Sequence, residues 1–148
     1  MTWFPHTTVA AVVERDGRFL MVEERDQRGA IVFNQPAGHL KEHETLLQAI
    51  AREVREETAW GFLASTLIGV YQWQVPPDGA TYQRFCFAGA CHDHRPDQPL
   101  DEGIPAARWM SRAELAGRSA QLRSPIVLAC IDDYLAGHRY PLDLLKQA

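Results

Sequence analysis

The sequence lacks most of the features that mark secreted, membrane or nucleic-acid-binding proteins. It has only three cysteines, Cys86, Cys91 and Cys130, without a C-x-x-C spacing, which favours reduced thiols over a disulfide framework. No apolar run approaches the roughly 18 residues that a membrane span needs. The N-terminal segment MTWFPHTTVA has no basic region followed by an apolar one, as a signal peptide would. We therefore expect a cytoplasmic protein with no membrane partner.

The chain also lacks an excess of positive charge. Its formal net charge is −4, which argues against a long nucleic-acid partner because such partners need a basic surface. A small phosphorylated ligand remains compatible with this charge if a metal ion supplies the positive charge. The 148 residues are 46% hydrophobic and 23% charged, which predicts one globular domain over residues 1–148. Composition leaves the oligomeric state open between monomer and homodimer.

Strand and turn signals predict an antiparallel beginning to the chain. The apolar, β-branched stretches at residues 7–14 and 18–23 flank Asp16 and Gly17, a tight-turn pair that predicts a hairpin. The charged residues 23–26 that follow are expected to form a solvated loop. Further strands are predicted at residues 30–34, 62–73, 81–91 and 106–110.

Helix signals complete the predicted fold. The long helix is expected at residues 45–59, with Gly61 as its stop signal. Ser111 opens a capping box, and Pro125 stands at the favoured first position of a last helix. Hairpins require antiparallel pairing, and helices on both sides require a sheet with two covered faces. The predicted fold class is therefore α/β (α+β), an α/β/α sandwich with a mixed β-sheet between helices.

The long helix has an apolar face that runs into carboxylates. With Ile50 at zero and 100° per residue, Leu46, Leu47 and Val54 fall between about −40° and +60°. Glu57 falls at about −20°, inside the same stripe. Acids at this end oppose the helix dipole and repel one another. Two interpretations stay open: a solvated acidic helix end paired with nearby arginines, or a site for a hard divalent cation such as Mg²⁺.

A second segment, residues 91–94, reads Cys-His-Asp-His and carries metal-ligand residue types. Zinc sites normally need more ligands at defined spacing. The segment also ends a predicted strand just before Pro96. The sequence therefore favours a strand end over a zinc site.

Residues 38–60 closely resemble the Nudix box, the signature of hydrolases that act on nucleoside diphosphates linked to another group. The family pattern is G-x5-E-x7-R-E-U-x-E-E-x-G-U, in which U is a bulky apolar residue. The chain departs from it at one fixed position, where Ala59 replaces glycine. The matching residues are Gly38, Glu44, Arg52, Glu53, Val54, Glu56, Glu57 and Trp60.

The resemblance extends along the chain to the NudJ-type phosphatases of this family. It implies Mg²⁺-dependent release of phosphate, with Mn²⁺ as a substitute, from nucleoside tri- and diphosphates and from the pyrophosphate ester of the thiamin pyrimidine precursor. An oxidised-nucleotide sanitising hydrolase and an ADP-ribose pyrophosphatase remain alternatives. A non-catalytic nucleotide-sensing module is a third, although it would be expected to lose box carboxylates that this chain retains. The shared segments are residues 34–40, 84–85, 108–109, 122–125 and 139–142.

The resemblance also implies which residues bind the metal ion. In the family the box glycine contributes its backbone carbonyl, here that of Gly38, and the glutamates contribute carboxylates, here Glu53, Glu56 and Glu57. Arg52 is four residues before Glu56 and can fix its rotamer by pairing with it. Water is expected to attack phosphorus, with the bound cation neutralising charge.

The general base and the substrate contacts are less defined by sequence. The base is expected to be Glu56 or Glu102, and the alternative for Glu102 is a solvated loop acid. Other residues are candidates for the substrate, and each has a purely structural role as its alternative. Candidate phosphate contacts are Arg84, Arg25 and Arg123, and candidate stacking residues are Tyr82 and Trp73.

Overall fold

The computed structural model describes residues 2–148, which form two four-stranded sheets and three α-helices. No helix within this range is long and apolar enough to cross a membrane. The strands are β1 (His6–Val12), β2 (Glu14–Arg15), β3 (Arg18–Arg25), β4 (Ile31–Asn34), β5 (Ala37–His39), β6 (Gly61–Gln74), β7 (Thr81–His92) and β8 (Ala106–Ser111). The helices are α1 (Leu46–Thr58), α2 (Arg112–Ala116) and α3 (Ile126–Leu135), with 3₁₀ turns at Ser119–Gln121 and Leu142–Leu144.

The first sheet is mixed and lies between helices. Its strand order is β5-β1-β7-β6, and β1 runs parallel to β7 but antiparallel to β5. Successive residues of a strand point to opposite faces. Val9 and Ala11 accordingly share a core with the inner face of α1, whereas Ala10 and Val12 share one with α3. The predicted α/β/α sandwich with a mixed sheet is confirmed.

The second sheet is antiparallel and changes one predicted pairing. Strand β3 pairs with β2, β4 and β8. Asp16 and Gly17 have φ of 52° and 76° and form the predicted tight turn. The hairpin that they close has β2 as its first strand, so the prediction that residues 7–14 pair with residues 18–23 is wrong for β1. A strand buried on both faces belongs in a sheet centre, and β1 pairs there with β5 and β7.

Helix α1 begins and ends within one residue of the prediction, but its stop signal differs. Thr45 is its N-cap, and Ala59 is its C-cap in the left-handed region, with φ of 62°. Gly61 is the first residue of β6, so the prediction that it stops the helix is wrong. The predicted inner face is also partly wrong, because Leu47 is 39% exposed and Ala49 is fully buried. A small side chain at the contact lets a helix approach a sheet closely, which the hydrophobic pattern alone does not reveal.

Candidate functional site

The loop before α1 is tied to the helix by Glu44 and Arg52. The Arg52 guanidinium donates to both oxygens of Glu44, at 2.6 and 3.0 Å, and to the backbone oxygen of His39 at 3.1 Å. The backbone N–H of Lys41 donates to the same carboxylate at 2.8 Å. Hydrogen bonds from Arg52 lower the pKa of Glu44 to about 2. Glu44 is therefore a fully paired carboxylate that holds the loop in place.

Arg52 also orients the first carboxylate of the acidic cluster. Its Nη1 donates to Glu53 Oε1 at 2.7 Å and to Glu56 Oε2 at 3.2 Å. Glu53 packs against the backbone of Gly38, where an added Cβ would overlap the carboxylate group. Burial raises the pKa of Glu53 above its usual value, despite the bond from Arg52. Glycine at position 38 is thus required by the close approach of β5 to Glu53.

Glu57 is the most deeply buried carboxylate of the cluster. Its side chain points inward from the core-facing stripe, as predicted, and the residue is 6% exposed. It accepts a hydrogen bond from the backbone N–H of Ala37 at 2.8 Å. Burial first, and then the like charges of Glu24, Glu53 and Asp101, raise the pKa of Glu57 to about 9. Such a group is costly in its ionised form unless a cation binds beside it.

Asp101 joins this cluster from a distant loop. One carboxylate oxygen each from Glu53, Glu56 and Asp101 lie within 4.8 Å of one another, the only such set of three metal-ligand side chains in residues 2–148. The backbone explains the position, because Asp101 N–H donates to the Glu56 carbonyl oxygen at 3.0 Å. Glu102, the acid predicted from sequence, is exposed and is not part of this set.

The donor set fits a hard divalent cation. Carboxylate oxygens from Glu53, Glu56 and Asp101 converge, and buried Glu57 lies close enough for the charges of Glu53 and Asp101 to raise its pKa. Mg²⁺ prefers oxygen ligands and usually binds one or two carboxylates while keeping several waters. A cation here would remove the electrostatic cost of the buried acids. The residues present therefore fit the group that the sequence implied.

A cavity of about 660 Å³ lies beside the cluster, and most of the predicted substrate residues line it. Gly38 belongs to both, because it lines the cavity and contacts Glu53. Arg25 does not line the cavity; it is exposed and donates to the Gly29 backbone oxygen at 3.2 Å. The predicted residues that line it are Trp73, Tyr82, Arg84 and Arg123.

Arg84 is a buried cation held by neutral partners. It donates to Gln35 Oε1 at 2.8 Å and to Asn34 Oδ1 at 3.0 Å. These amides fix the guanidinium without neutralising it. Glu24 is close enough for the charge of Arg84 to act toward lowering its pKa. Arg84 therefore adds positive charge to the cavity wall.

Two acids of this region are missing from the sequence-based set. Asp101 lies in a polar connection between strands, and Glu24 lies in the charged segment expected to be solvated. Glu24 instead continues β3 with a side chain that is 15% exposed, and it lines the cavity. A weak signal existed for Glu24, because alternate residues of a strand face the same side and Glu24 stands two residues after apolar Val22.

The segment at residues 91–94 does not converge as a metal site. Cys91 accepts from Arg15 Nη2 at 3.2 Å, and Asp93 pairs with Arg55 and Arg95 at 3.2 and 3.0 Å. His94 stacks on Trp60 instead, with ring centroids 4.4 Å apart. Strand β7 ends at His92, within this segment, as the strand-end interpretation predicts.

Comparison with known proteins gives one family. The NUDIX domain profile matches residues 4–130. Phosphatase NudJ of Escherichia coli (strain K12) is 43% identical over 141 residues, which cover 95% of this chain and 90% of that protein. Phosphatase NudJ of Shigella sonnei (strain Ss046) gives the same identity and coverage.

Solved structures agree with this relationship. A NUDIX hydrolase from Nitrosomonas europaea superposes with a TM-score of 0.95 at 48% identity, covering 98% of both chains. A UDP-X diphosphatase superposes with a TM-score of 0.74 at 18% identity, covering 95% of this chain and 68% of that one, and shows the fold alone. The chain belongs to the Nudix family and is a hydrolase of phosphorus-containing acid anhydrides, close to the NudJ phosphatases.

Proposed function

We propose that this hydrolase uses Mg²⁺, with Mn²⁺ as a substitute, to release orthophosphate from nucleoside tri- and diphosphates. The pyrophosphate ester of the thiamin pyrimidine precursor is a further proposed substrate. The observation that carries the proposal is the convergence of Glu53, Glu56 and Asp101 beside buried Glu57, at the edge of a cavity with a buried arginine. The 43% identity to Phosphatase NudJ supports the phosphatase activity. A cytoplasmic location is proposed from the same relationship and from the three free thiols.

The proposed metal ligands are Glu53, Glu56, Glu57 and the backbone carbonyl of Gly38, with Asp101 added from the loop. When bound, the cation would supply positive charge to phosphate oxygens and lower the pKa of water. A substrate with a phosphate chain at this position places its organic group in the neighbouring cavity. There Arg84 and Arg123 are proposed to contact phosphate, and Trp73 and Tyr82 to contact the ring. Arg25 would reach a phosphate only after leaving its bond to Gly29.

In the proposed mechanism the protein mainly positions charged groups. Arg52 holds Glu53 and Glu56 by hydrogen bonds, so their oxygens need little reorganisation during the reaction. Water attacks the terminal phosphorus, the bond from phosphorus to the bridging oxygen breaks, and a carboxylate accepts the proton from water. Glu56 is the proposed acceptor because its side chain is the most open of the paired glutamates, at 34% exposed. Asp101 and Glu102 are the alternatives.

The deciding experiment is a substrate panel with the purified protein in Mg²⁺, in Mn²⁺ and in excess chelator. Nucleoside tri- and diphosphates, an oxidised nucleoside triphosphate, ADP-ribose and the thiamin-precursor pyrophosphate are compared by product. The proposal predicts metal-dependent orthophosphate release. Pyrophosphate release from triphosphates, or turnover confined to ADP-ribose or the oxidised nucleotide, would replace it with a sanitising or ADP-ribose hydrolase.

Two variants test the metal assignment on the same panel. Glu53→Gln and Glu57→Gln keep the side-chain volume and remove the negative charge. Each is expected to lower metal-dependent turnover by at least about 100-fold while the protein stays folded. Equal turnover in both variants and the wild type contradicts the assignment.

A further inference from the structure

A chain of hydrogen bonds runs across the floor of the cavity and ends on Glu24. Gln35 Nε2 donates to the Val127 backbone oxygen at 2.7 Å, and Arg84 donates to Gln35 Oε1 and Asn34 Oδ1. Asn34 Nδ2 then donates to Glu24 Oε1 at 3.3 Å. A guanidinium only donates, so both amide oxygens must face Arg84. The orientation of each group, including Glu24, is thus determined by its neighbours.

Glu24 keeps acceptor capacity that faces the cavity. A carboxylate offers about four lone-pair sites. One is used by Asn34, and Oε2 forms an ion pair with Arg123 at 3.8 Å from its Nε, too long for a hydrogen bond. Asp26 is the other acid that lines the cavity, and its Oδ1 already accepts from the backbone N–H groups of Arg28 and Ala30. Glu24 is therefore the lining acid with room for a ligand.

The chemistry of this acceptor selects for one kind of ligand group. A carboxylate repels phosphate oxygens, so these oxygens should contact the metal ligands and the two arginines but not Glu24 itself. It accepts from N–H donors, and heteroaromatic rings with an exocyclic amine carry them. Trp73 and Tyr82 line the same cavity and can contact a ring face. Burial raises the pKa of Glu24, but the carbonyl oxygen of a neutral carboxyl accepts as well.

We propose that Glu24 is a specificity-determining residue that accepts a hydrogen bond from the exocyclic amino group of the substrate's ring. This inference rests on the proposed function, because it names the ring that accompanies the phosphate chain. Aminopyrimidines and the amino-bearing bases cytosine and adenine satisfy it. Uracil and hypoxanthine present a carbonyl oxygen at the corresponding position and would leave two acceptors facing each other.

A competing role for Glu24 follows from its neighbours. Its negative charge helps to raise the pKa of Glu57, so Glu24 could serve as an outer member of the acidic cluster. The two roles differ in a measurable way. Loss of an outer cluster member lowers turnover of all substrates equally, whereas loss of a ring contact changes the preference between substrates.

The experiment measures kcat/KM for two pairs, CTP against UTP and ATP against ITP. Within each pair the phosphates and sugar are the same, and an amino group beside an unprotonated ring nitrogen is exchanged for a carbonyl beside a ring N–H. The wild type should prefer the amino member by about fivefold, the ratio that one net hydrogen bond supplies. Glu24→Met removes the acceptor and should bring both ratios near one, and Glu24→Gln should restore part of the preference. Glu23→Met is the matched control, because Glu23 is the next residue of β3 and pairs with Arg108 at 3.0 Å instead.

Ring preference can also be measured without catalysis. In metal-free calorimetry, CMP should bind the wild type about fivefold more tightly than UMP, and Glu24→Gln should reduce that ratio. This measurement needs only the wild type and Glu24→Gln, so it can be made even if Glu24→Met does not fold. Ratios near one in the wild type, or equal loss for both members of a pair in the Glu24 variants, overturn the inference and leave the proposed function intact. Absence of any nucleotide turnover contradicts the proposed function, and the binding ratio still decides the role of Glu24.

Discussion

Glu44 and Glu57 stand at opposite ends of the same signature motif, and their surroundings are opposite too. Glu44 receives two hydrogen bonds from Arg52 and one from the Lys41 backbone, and its pKa falls to about 2. Glu57 receives one hydrogen bond, from the Ala37 backbone, and burial raises its pKa to about 9. No arginine or lysine pairs with Glu57 among residues 2–148. One residue type therefore stabilises the fold at one end and destabilises it at the other.

The difference separates structure from function within the motif. A carboxylate whose hydrogen bonds are satisfied by the protein has little to offer a ligand. A buried carboxylate with raised pKa and a converging set of acids beside it is typical of a functional site. Glu44 therefore holds the loop and helix together, whereas Glu53, Glu56 and Glu57 belong to the acidic cluster that the proposed cation would occupy.

The largest expected effect comes from displacing Glu53 from the acidic cluster by a change at Gly38. Gly38→Ala would place a methyl group against the Glu53 carboxylate, which must move away. We expect at least about a 100-fold loss of metal-dependent turnover with the fold retained, because the obstructing atoms belong to a side chain that can rotate. Gly117→Ala is the control, since its Cβ would meet the nearest atom at 3.5 Å. Normal turnover in Gly38→Ala would mean that the position of Glu53 does not matter.

A smaller effect distinguishes the two loop acids. Asp101→Asn removes a carboxylate within 4.8 Å of Glu53 and Glu56, and should lower kcat by about tenfold or more. Glu102→Gln changes an exposed neighbour and should alter kcat by less than about twofold. Steady-state kinetics with saturating Mg²⁺ give both values. A larger loss in Glu102→Gln would favour the sequence-based choice of Glu102 as the base.

The pH dependence of stability should show the opposite effects of Glu57 and Glu44 in one curve. A raised folded pKa gives stability that is present below the ordinary value of 4.5 and lost as pH rises toward about 9, as for Glu57. A lowered pKa gives stability that is present above 4.5 and lost as pH falls toward about 2, as for Glu44. Metal-free denaturant unfolding should therefore lose about 2 kcal/mol between pH 6 and 9, an order-of-magnitude figure, and Mg²⁺ should offset it.

Two variants test which residue causes each loss of stability: the alkaline arm, where stability falls as pH rises, and the acid arm, where it falls as pH falls. Glu57→Gln should flatten the alkaline arm, and Glu44→Gln should flatten the acid arm. Neither change abolishes its arm, because burial also raises the pKa of Glu24 and Glu53, and arginine neighbours lower that of Asp132. An alkaline arm that is unchanged in Glu57→Gln would show that Glu57 is not the buried acid responsible.

The smallest expected effect comes from the helix end itself. Ala59 has φ of 62°, a left-handed conformation that costs a residue with a Cβ roughly 1 kcal/mol relative to glycine. Ala59→Gly should raise the free energy of unfolding by up to about 1 kcal/mol and leave turnover unchanged. Chemical denaturation measures the first and phosphate release the second. A fall in turnover would mean that this methyl group supports the neighbouring acids.

Most features of the motif could be predicted from the sequence, but the contacts that distant residues make with it could not. The spacing of Arg52 and Glu57 in the motif predicts the helix and its inward acid, because these follow from local periodicity. The capping box at Ser111 is likewise local and is confirmed. Ala59 was identified as a departure from the family pattern, and the structure gives it the left-handed conformation that the glycine would have.

Contacts between distant parts of the chain were not readable in this way. Asp101 reaches the cluster through a backbone bond to Glu56, and Glu24 reaches the cavity because β3 extends further than its apolar run. The Asp101 contact depends on no periodic pattern, and strand alternation gives only a weak signal for Glu24. The hairpin assigned to β1 was wrong for the same reason, since the pairing of β1 with β7 joins residues far apart in sequence.

The most direct test of the account is the rise in unfolding temperature that saturating Mg²⁺ produces in Glu57→Gln and in Glu44→Gln. We predict that metal-free Glu57→Gln unfolds at or above the wild-type temperature and gains no rise from Mg²⁺. Metal-free Glu44→Gln should unfold at a lower temperature, because it loses roughly 1 kcal/mol of unfolding free energy. Its unfolding temperature should still rise when Mg²⁺ is added. A normal Mg²⁺ response in Glu57→Gln, or its loss in Glu44→Gln alone, would contradict the assignment of Glu44 to a structural role and of Glu57 to metal binding.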